Sequence, residues 1–295
     1  MTGTLYICPT PLGNLGDMTA RTLEALRAAD VVCAEDTRVT GKLLAAFDIE
    51  KRLERLDENM MAHACAGVVE RVLAGETIAY CSDAGMPGVS DPGLRLVRAA
   101  REAQAPVVVL PGPTAGATAY VASGCTDACF YFGGFLPRRA GERERMLEGL
   151  RGLQAALIFY ESPNRLVDSL ESLAKVFPLR EAAVCRELTK LHEEVVRAST
   201  DDLWREFAGR ESIKGEIAIV VDGPVAAEAE AERDAAAASA EERAAELAAS
   251  GMRGKAIAKA LAAEFGLARN AAYDIAVAAA AVAGAGGDSA DKAGE

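Results

Sequence analysis

A glycine- and proline-rich loop, residues 82–93, constrains the fold of this chain more than any other stretch. Its sequence, SDAGMPGVSDPG, holds three glycines and two prolines, and it separates a strand-like run at 76–81 from a helical pattern at 94–100. Glycine lets the backbone approach a ligand closely, and proline fixes the bends between. A purely structural turn would need only about three residues. Because open α/β sheets bind ligands at the carboxyl ends of their strands, we interpret the loop as part of a binding site.

Strand-like and helical segments alternate along the first 124 residues. Strands are predicted at 5–8, 31–34, 76–81 and 106–110, and helices at 18–29, 40–47, 59–74 and 115–123. Such alternation predicts an α/β domain, 1–124, with a mainly parallel sheet. A second α/β domain is predicted over 125–222, after an aromatic stretch at 130–137 that we expect to join the two.

The last 73 residues differ in composition from the rest of the chain. An acidic, alanine-rich segment at 223–250 predicts a linker or a helix, and 251–285 predicts a small helical module. The spacing of the module's two short helices resembles a helix-turn-helix, although a plain helical hairpin has the same pattern. We expect the tail, 286–295, to be disordered. The net charge is −12, and the eight acids and two arginines of residues 222–250 supply half of it.

Composition excludes several classes of function. The seven cysteines form no CxxC pair and the two histidines have no metal-ligand spacing, so no metal site is predicted. No apolar run reaches the roughly 18 residues that span a bilayer, and the sequence leads us to expect no secretion signal. We therefore expect a cytoplasmic protein with no membrane partner.

Three loops follow predicted strands of the first domain, at 9–17, 82–93 and 111–114. The carboxyl ends of parallel strands lie at one edge of a sheet, so these loops are expected to line one crevice. None matches a Walker loop or GxGxxG. The crevice suits a ligand held by backbone groups and by a few side chains such as Asp83, Ser90 and Thr114. Asp83 would either balance a cationic ligand or stabilise the turn.

Acids and arginines occur together at three further strand ends, in 35–38, 160–165 and 186–190. Such groups either form surface ion pairs or take part in catalysis, where carboxylate and lysine act as bases and arginine binds phosphate. Arg138 and Arg139, in a loop that follows Pro137, are further candidates for phosphate binding.

Together these motifs resemble the tetrapyrrole-methylase superfamily of S-adenosylmethionine-dependent methyltransferases, and within it the enzymes that modify 16S ribosomal RNA. The stretches that carry the resemblance are TPLGNLGDMTARTLEALRAADVVCAEDTR (10–38), SDAGMPGVSDPG (82–93), VVVLPGPTAGATAYVASG (107–124), FYFGGFLPR (130–138), FYESPNRL (159–166), AVCRELTKLHEE (183–194) and KGEIAIVV (214–221). They cover nearly all of residues 4–221.

The resemblance implies two α/β domains of the tetrapyrrole-methylase type, with the cofactor, S-adenosylmethionine, in the cleft between them. It implies methyl transfer to the ribose 2′-hydroxyl of a cytidine in the decoding region of 16S ribosomal RNA, in the small ribosomal subunit, by a homodimer. The carboxyl-terminal helices resemble a module that helps to hold RNA. The residues expected at the cofactor are Pro11, Ser82, Asp83, Gly85, Pro87, Ser90, Gly112, Thr114, Ala115, Tyr160, Gly215, Glu216 and Ile217.

A ribose hydroxyl must lose its proton during this reaction, so a base is expected. Glu35 and Asp36 are the preferred candidates, and Glu161, Glu187 and Lys190 are alternatives. The arginines expected to contact RNA are Arg38, Arg138, Arg139, Arg165 and Arg186. Two other functions fit the pattern: methylation of a tetrapyrrole or another small molecule on the same fold, and nucleic-acid binding without catalysis.

Overall fold

A computed structural model describes residues 2–287, without the side chains of 229–237 and 280–287. The chain divides into two compact units, Met1–Pro224 and Val225–Glu295. Within the described residues, no helix combines the length and the apolar character that crossing a membrane requires.

The first sheet has five strands, all parallel, in the order β3-β2-β4-β1-β5. They are β1 (Leu5–Cys8), β2 (Val31–Ala34), β3 (Arg52–Arg55), β4 (Ile78–Cys81) and β5 (Val107–Val109). The helices that follow them are α1 (Ala20–Ala28), α2 (Thr37–Ala46), α3 (Glu58–Leu73), α4 (Gly93–Glu102) and α5 (Ala115–Ala122). Since every strand runs the same way, all five carboxyl ends lie at one edge.

Alternation along β1 builds a core on both faces of this sheet. Leu5 and Ile7 pack in a cluster with Met61 of α3 and Leu96 of α4. Cys8 points to the other face and packs with Leu26 of α1. Burial on both faces explains why β2 and β4 are continuous apolar runs. The charged strand β3, Arg-Leu-Glu-Arg, lies at the sheet edge and was not predicted, because it lacks that signal.

The second sheet is mixed, with the strand order β6-β7-β10-β8-β9. Its strands are β6 (Phe130–Phe135), β7 (Ala156–Glu161), β8 (Glu181–Arg186), β9 (Glu194–Ser199) and β10 (Ile217–Val221), and its helices are α6 (Ala140–Gly149), α7 (Leu166–Val176) and α8 (Thr200–Ala208). Strand β10 runs antiparallel to both β7 and β8, and Ile217 pairs with Glu161 and with Arg186. The amino end of β10 therefore lies between the carboxyl ends of β7 and β8.

Two segments differ from the predicted domain division. The aromatic stretch 130–137, expected to join the domains, contains β6 at the edge of the second sheet. Helix α5, expected in the first domain, packs on the second sheet, because Ala119 shares a core with Ala156 and Ile158. Helix α5 thus packs with the second sheet, although it precedes the boundary predicted after Gly124.

The described part of the carboxyl-terminal unit contains three helices, α9 (Ala226–Ala249), α10 (Gly254–Phe265) and α11 (Arg269–Gly287). Its core is formed by Ala240, Ala244, Ile257, Leu261, Ala272 and Ala276. Residues 226–249 of the acidic segment thus form a helix of this unit rather than a separate linker. Gly266, in the left-handed conformation with φ 65°, ends α10. Residues 288–295 of the predicted disordered tail lie outside the described residues.

Candidate active site

The three loops that follow β1, β4 and β5 are in direct contact. Thr10 and Gly85 exchange two backbone hydrogen bonds, each 3.0 Å long, and the Thr10 hydroxyl donates to the Ser82 carbonyl at 3.2 Å. A Cβ placed on Gly112 would lie 2.3 Å from Cγ of Pro9, so the third loop packs closely on the first. The loops at 9–17, 82–93 and 111–114 therefore meet, as their positions at strand ends predicted.

A cavity of about 500 Å³ lies between this edge of the first sheet and one edge of the second. The second-sheet edge is the one where the ends of β7 and β8 flank the start of β10. Ten of the predicted cofactor residues line the cavity: Ser82, Asp83, Gly85, Ser90, Thr114, Ala115, Tyr160, Gly215, Glu216 and Ile217. Pro11, Pro87 and Gly112 do not line it, although they lie in the loops that do.

Other lining residues were not singled out from the sequence. They are Leu12, Ala84, Met86, Val89, Asp91, Phe135, Ser162, Pro163, Cys185, Leu188 and Ala218. Several of them belong to the loops already singled out, so their position in those loops could have predicted that they line the cavity. Cys185 and Ala218 lie inside buried strands, and their sequence pattern is that of ordinary core positions.

Tyr160 lies between the start of α5 and the aromatic residues of β6 at the cavity. The backbone N–H of Gly116, at the start of α5, donates to its hydroxyl oxygen at 2.9 Å. Its ring meets those of Phe132 and Phe135 edge-on, with centroids 4.8 Å and 5.8 Å away. Burial raises the pKa of Tyr160, so the phenol stays neutral.

Three carboxyl groups occupy the first-sheet wall of the cavity, on Glu35, Asp83 and Asp91. Asp83 accepts the backbone N–H of Asp36 at 3.0 Å, and Asp91 accepts those of Gly88 and Gly93 at 2.8 Å. Burial, followed by repulsion from Asp83 and Asp91, raises the pKa of Glu35. Burial likewise raises the pKa of Asp91. This wall therefore presents three carboxyl groups to the cavity, and a bound cation would favour their ionised forms.

The environments of Glu35 and Asp36 differ sharply, although the two are neighbours in sequence. Asp36 does not line the cavity; it caps α2 through the Arg38 N–H at 2.8 Å and forms an ion pair with the Arg38 side chain. Hydrogen bonds from Arg38 hold the pKa of Asp36 well below its usual range. Glu35 lines the cavity, and no basic side chain among the described residues pairs with it. A hydrogen bond from the Asp83 backbone lowers its pKa, but burial outweighs that effect.

Glu161 lines the cavity but is fully engaged in structural contacts. Its side chain is completely buried and accepts hydrogen bonds from the Ser169 hydroxyl at 2.6 Å and from its neighbour's backbone N–H at 2.7 Å. It also pairs with Arg165 at 2.5 Å. No oxygen of this carboxylate remains free for a proton transfer.

Lys190 and Glu187 form a third engaged group, together with Glu216. The Lys190 ammonium lies 2.8 Å from Glu187 and 2.9 Å from Glu216. The Lys190 hydrogen bond lowers the pKa of Glu187. Burial opposes the charge of Lys190, but the two carboxylates outweigh it and raise the pKa of the lysine. Lys190 is therefore charged near neutral pH.

The arginines expected to contact RNA fall into two groups. Arg38, Arg138 and Arg139 are exposed. Arg165 donates to the Leu136 carbonyl as well as pairing with Glu161, and Arg186 pairs with Glu194 at 2.8 Å. Arg38 and Arg139 also form ion pairs, with Asp36 and Glu142, but these lie at the surface, whereas the second group is partly buried.

Residues 4–203, more than half of the chain, match the family model of the tetrapyrrole (corrin/porphyrin) methylases. The chain belongs to this family. It is a methyltransferase of the tetrapyrrole-methylase fold, as the motifs predicted. Two curated relatives, both named ribosomal RNA small subunit methyltransferase I, are each 42% identical to it. The one from Halalkalibacterium halodurans aligns over 75% of this chain and 76% of its own length, and the one from Micromonospora olivasterospora over 80% and 75%.

Solved structures of tetrapyrrole methylases and related enzymes share the fold. A uroporphyrin-III-C-methyltransferase from Thermus thermophilus superposes with a TM-score of 0.52 at 21% identity, over 75% of this chain and 92% of its own. A diphthine synthase superposes with a TM-score of 0.59 at 15% identity, over 75% and 90%. At these identities the likeness concerns architecture alone.

Proposed function

We propose that this protein transfers the methyl group of S-adenosylmethionine to the ribose 2′-hydroxyl of a cytidine in the decoding region of 16S ribosomal RNA. One observation carries the proposal: loops from both sheets enclose a single cavity in a chain that belongs to a methyltransferase family. The ribosomal substrate is supported by the names of relatives 42% identical to the chain. The cytidine and its 2′-hydroxyl are supported by the motif resemblance.

The cavity suits S-adenosylmethionine in charge and size. Ligand pockets typically have volumes of about 300–1,000 Å³. The cofactor carries a sulfonium and an ammonium, and the wall formed by Glu35, Asp83 and Asp91 offers the opposite charge. When bound, S-adenosylmethionine supplies an electrophilic methyl group.

The residues proposed to hold the cofactor come from both sheets. Those of the first sheet are Ser82, Asp83, Gly85, Ser90, Thr114 and Ala115, and those of the second, near the adenine, are Tyr160, Gly215, Glu216 and Ile217. Pro11, Pro87 and Gly112 act through the shape of their loops. Backbone groups and few side chains suffice, since alignment of the acceptor with the methyl group provides much of the rate enhancement.

Glu35 is the proposed base, and the argument is elimination. Asp36, Glu161, Glu187 and Lys190 are all held in ion pairs within the protein. Glu35 alone among these five candidates lines the cavity with a carboxyl group that no described basic side chain neutralises. It would accept the proton that the ribose 2′-hydroxyl must lose.

The exposed arginines Arg38, Arg138 and Arg139 are proposed to contact RNA phosphates. Arg165 and Arg186 would instead keep the strand ends of the second sheet in place. We further propose that the carboxyl-terminal unit helps to hold RNA, and that the protein acts in the cytoplasm as a homodimer. These assignments are supported by the motif resemblance and, for the three arginines, by their exposure.

Mass spectrometry of the reacted RNA tests this function. The protein is incubated with S-adenosylmethionine and small ribosomal subunits lacking the modification, and nuclease digests are examined for ribose-methylated cytidine. We expect one such cytidine in the decoding region, and none without the cofactor. Unmodified RNA, together with methylation of a uroporphyrinogen offered in parallel, would favour a small-molecule substrate instead.

A further inference from the structure

The Lys190 side chain reaches from the second sheet to the first. Lys190 lies in the loop after β8, and its methylene chain packs on the backbone of Gly13, in the loop after β1. A Cβ placed on Gly13 would lie 2.4 Å from Cγ and 2.7 Å from Cε of Lys190. No larger residue fits at position 13 unless the lysine moves.

The ammonium of Lys190 ends between two carboxylates that organise the second-sheet wall. The Glu187 oxygen that accepts from Lys190 at 2.8 Å also accepts the backbone N–H of Glu216 at 2.9 Å. The Glu187 side chain lies directly against Gly215. A Cβ placed on Gly215 would lie 2.4 Å from Cγ of Glu187. The lysine thus fixes Glu187, which in turn fixes the backbone of residues 215 and 216.

Both ends of this connection border the cavity. Leu12, adjacent to Gly13, lines it on one side, and Gly215 and Glu216 line it on the other. Leu188, between Glu187 and Lys190 in sequence, lines it as well. A single side chain therefore links the two walls.

The backbone around Lys190 adopts an uncommon conformation. Glu187 and Thr189 have φ values of 52° and 66°, in the left-handed region that disfavours residues with a Cβ. Such conformations persist where surrounding contacts determine them, and they concentrate at functional sites. Here the conformation places Lys190 across the cleft.

We propose that Lys190 is a positioning residue that sets the spacing between the two walls of the cofactor cavity. This inference rests on the proposed function, because it assumes that S-adenosylmethionine binds there. Lys190 acts through Gly13, Glu187 and Glu216, and it takes no proton from the substrate.

The test compares Lys190→Ala with Lys190→Met, which retains the methylene packing but lacks the charge. For Lys190→Ala we expect calorimetric affinity for S-adenosylmethionine to fall about tenfold, the loss typical of a charge-assisted hydrogen bond. The Michaelis constant for the cofactor should rise in parallel, with kcat at saturating cofactor within about twofold. The cofactor affinity of Lys190→Met should lie between those of the wild type and Lys190→Ala. Lys190→Arg should recover most of the wild-type affinity.

Lys175→Ala is the matched control, because Lys175 also pairs with a glutamate, Glu144 at 2.7 Å, but the two lie on α7 and α6, which contribute no residue to the cavity wall. It should leave cofactor affinity unchanged. Unchanged affinity in Lys190→Ala and Lys190→Met would overturn the inference. So would a rise confined to the Michaelis constant for the ribosomal subunit, which would place Lys190 on RNA. Failure of the wild-type protein to bind S-adenosylmethionine would instead refute the proposed function.

Discussion

At the scale of single residues, environment distinguishes two adjacent carboxylates. Burial and the charges of Asp83 and Asp91 raise the pKa of Glu35, whereas Arg38 keeps Asp36 ionised. A proton acceptor is most effective when its pKa approaches the working pH, so the group with the raised pKa is the better base. The sequence alone placed both at a strand end and could not separate them, because the difference arises from residues up to 56 positions away.

Replacing Glu35 tests this distinction. We expect Glu35→Gln to lower kcat at saturating cofactor by about 10²–10⁴-fold, the usual contribution of a general base. A protonated Glu35 cannot accept a proton, so wild-type activity should fall as pH decreases through its pKa, above the ordinary glutamate value. The variant should lack this acidic limb. Glu102→Gln, which alters an exposed ion pair with Arg98, is the control, and equal pH profiles in wild type and Glu35→Gln would exclude the base assignment.

At the scale of elements, strand direction assembles the site from two differently built edges. In the first sheet the loops meet because the strands are parallel, which the alternation of elements predicted. In the second, residues 215–217 reach the same cavity because β10 runs antiparallel to its neighbours. The sequence predicted an α/β domain here but not the directions of its strands, since pairing across the sheet depends on distant contacts. The apolar helix α5 gave no signal of which sheet it would cover.

Gly85, in the loop after β4, requires a conformation that favours glycine. Its φ of 76° disfavours a side chain, and a Cβ placed there would lie only 3.1 Å from Cδ2 of Leu12. Gly85→Ala should destabilise the protein by about 1–3 kcal/mol, the usual cost of a left-handed non-glycine residue. Gly141→Ala is the matched control, because a Cβ there meets nothing within 4 Å in α6. Urea unfolding of both variants gives the comparison, and equal midpoints would contradict the strain argument.

At the scale of the whole molecule, the two units have separate hydrophobic cores, and the match to the family model concerns the first unit. The family match, residues 4–203, falls within the first unit, Met1–Pro224. Long, ordered motifs made its fold and family predictable from sequence. The second unit was harder to predict: alanine-rich composition indicated helices but could not show that α9 packs with α10 and α11 in one core.

The central claim is that one ligand, S-adenosylmethionine, occupies the cavity between the two sheets. Hydrogen–deuterium exchange of the wild-type protein, with and without the cofactor, tests it most directly. We predict slower exchange at residues 82–91 of the first sheet and at 215–218 of the second, with α3 and α8 unchanged as internal references. Protection of only one of these segments, or of neither at saturating cofactor, would contradict the account.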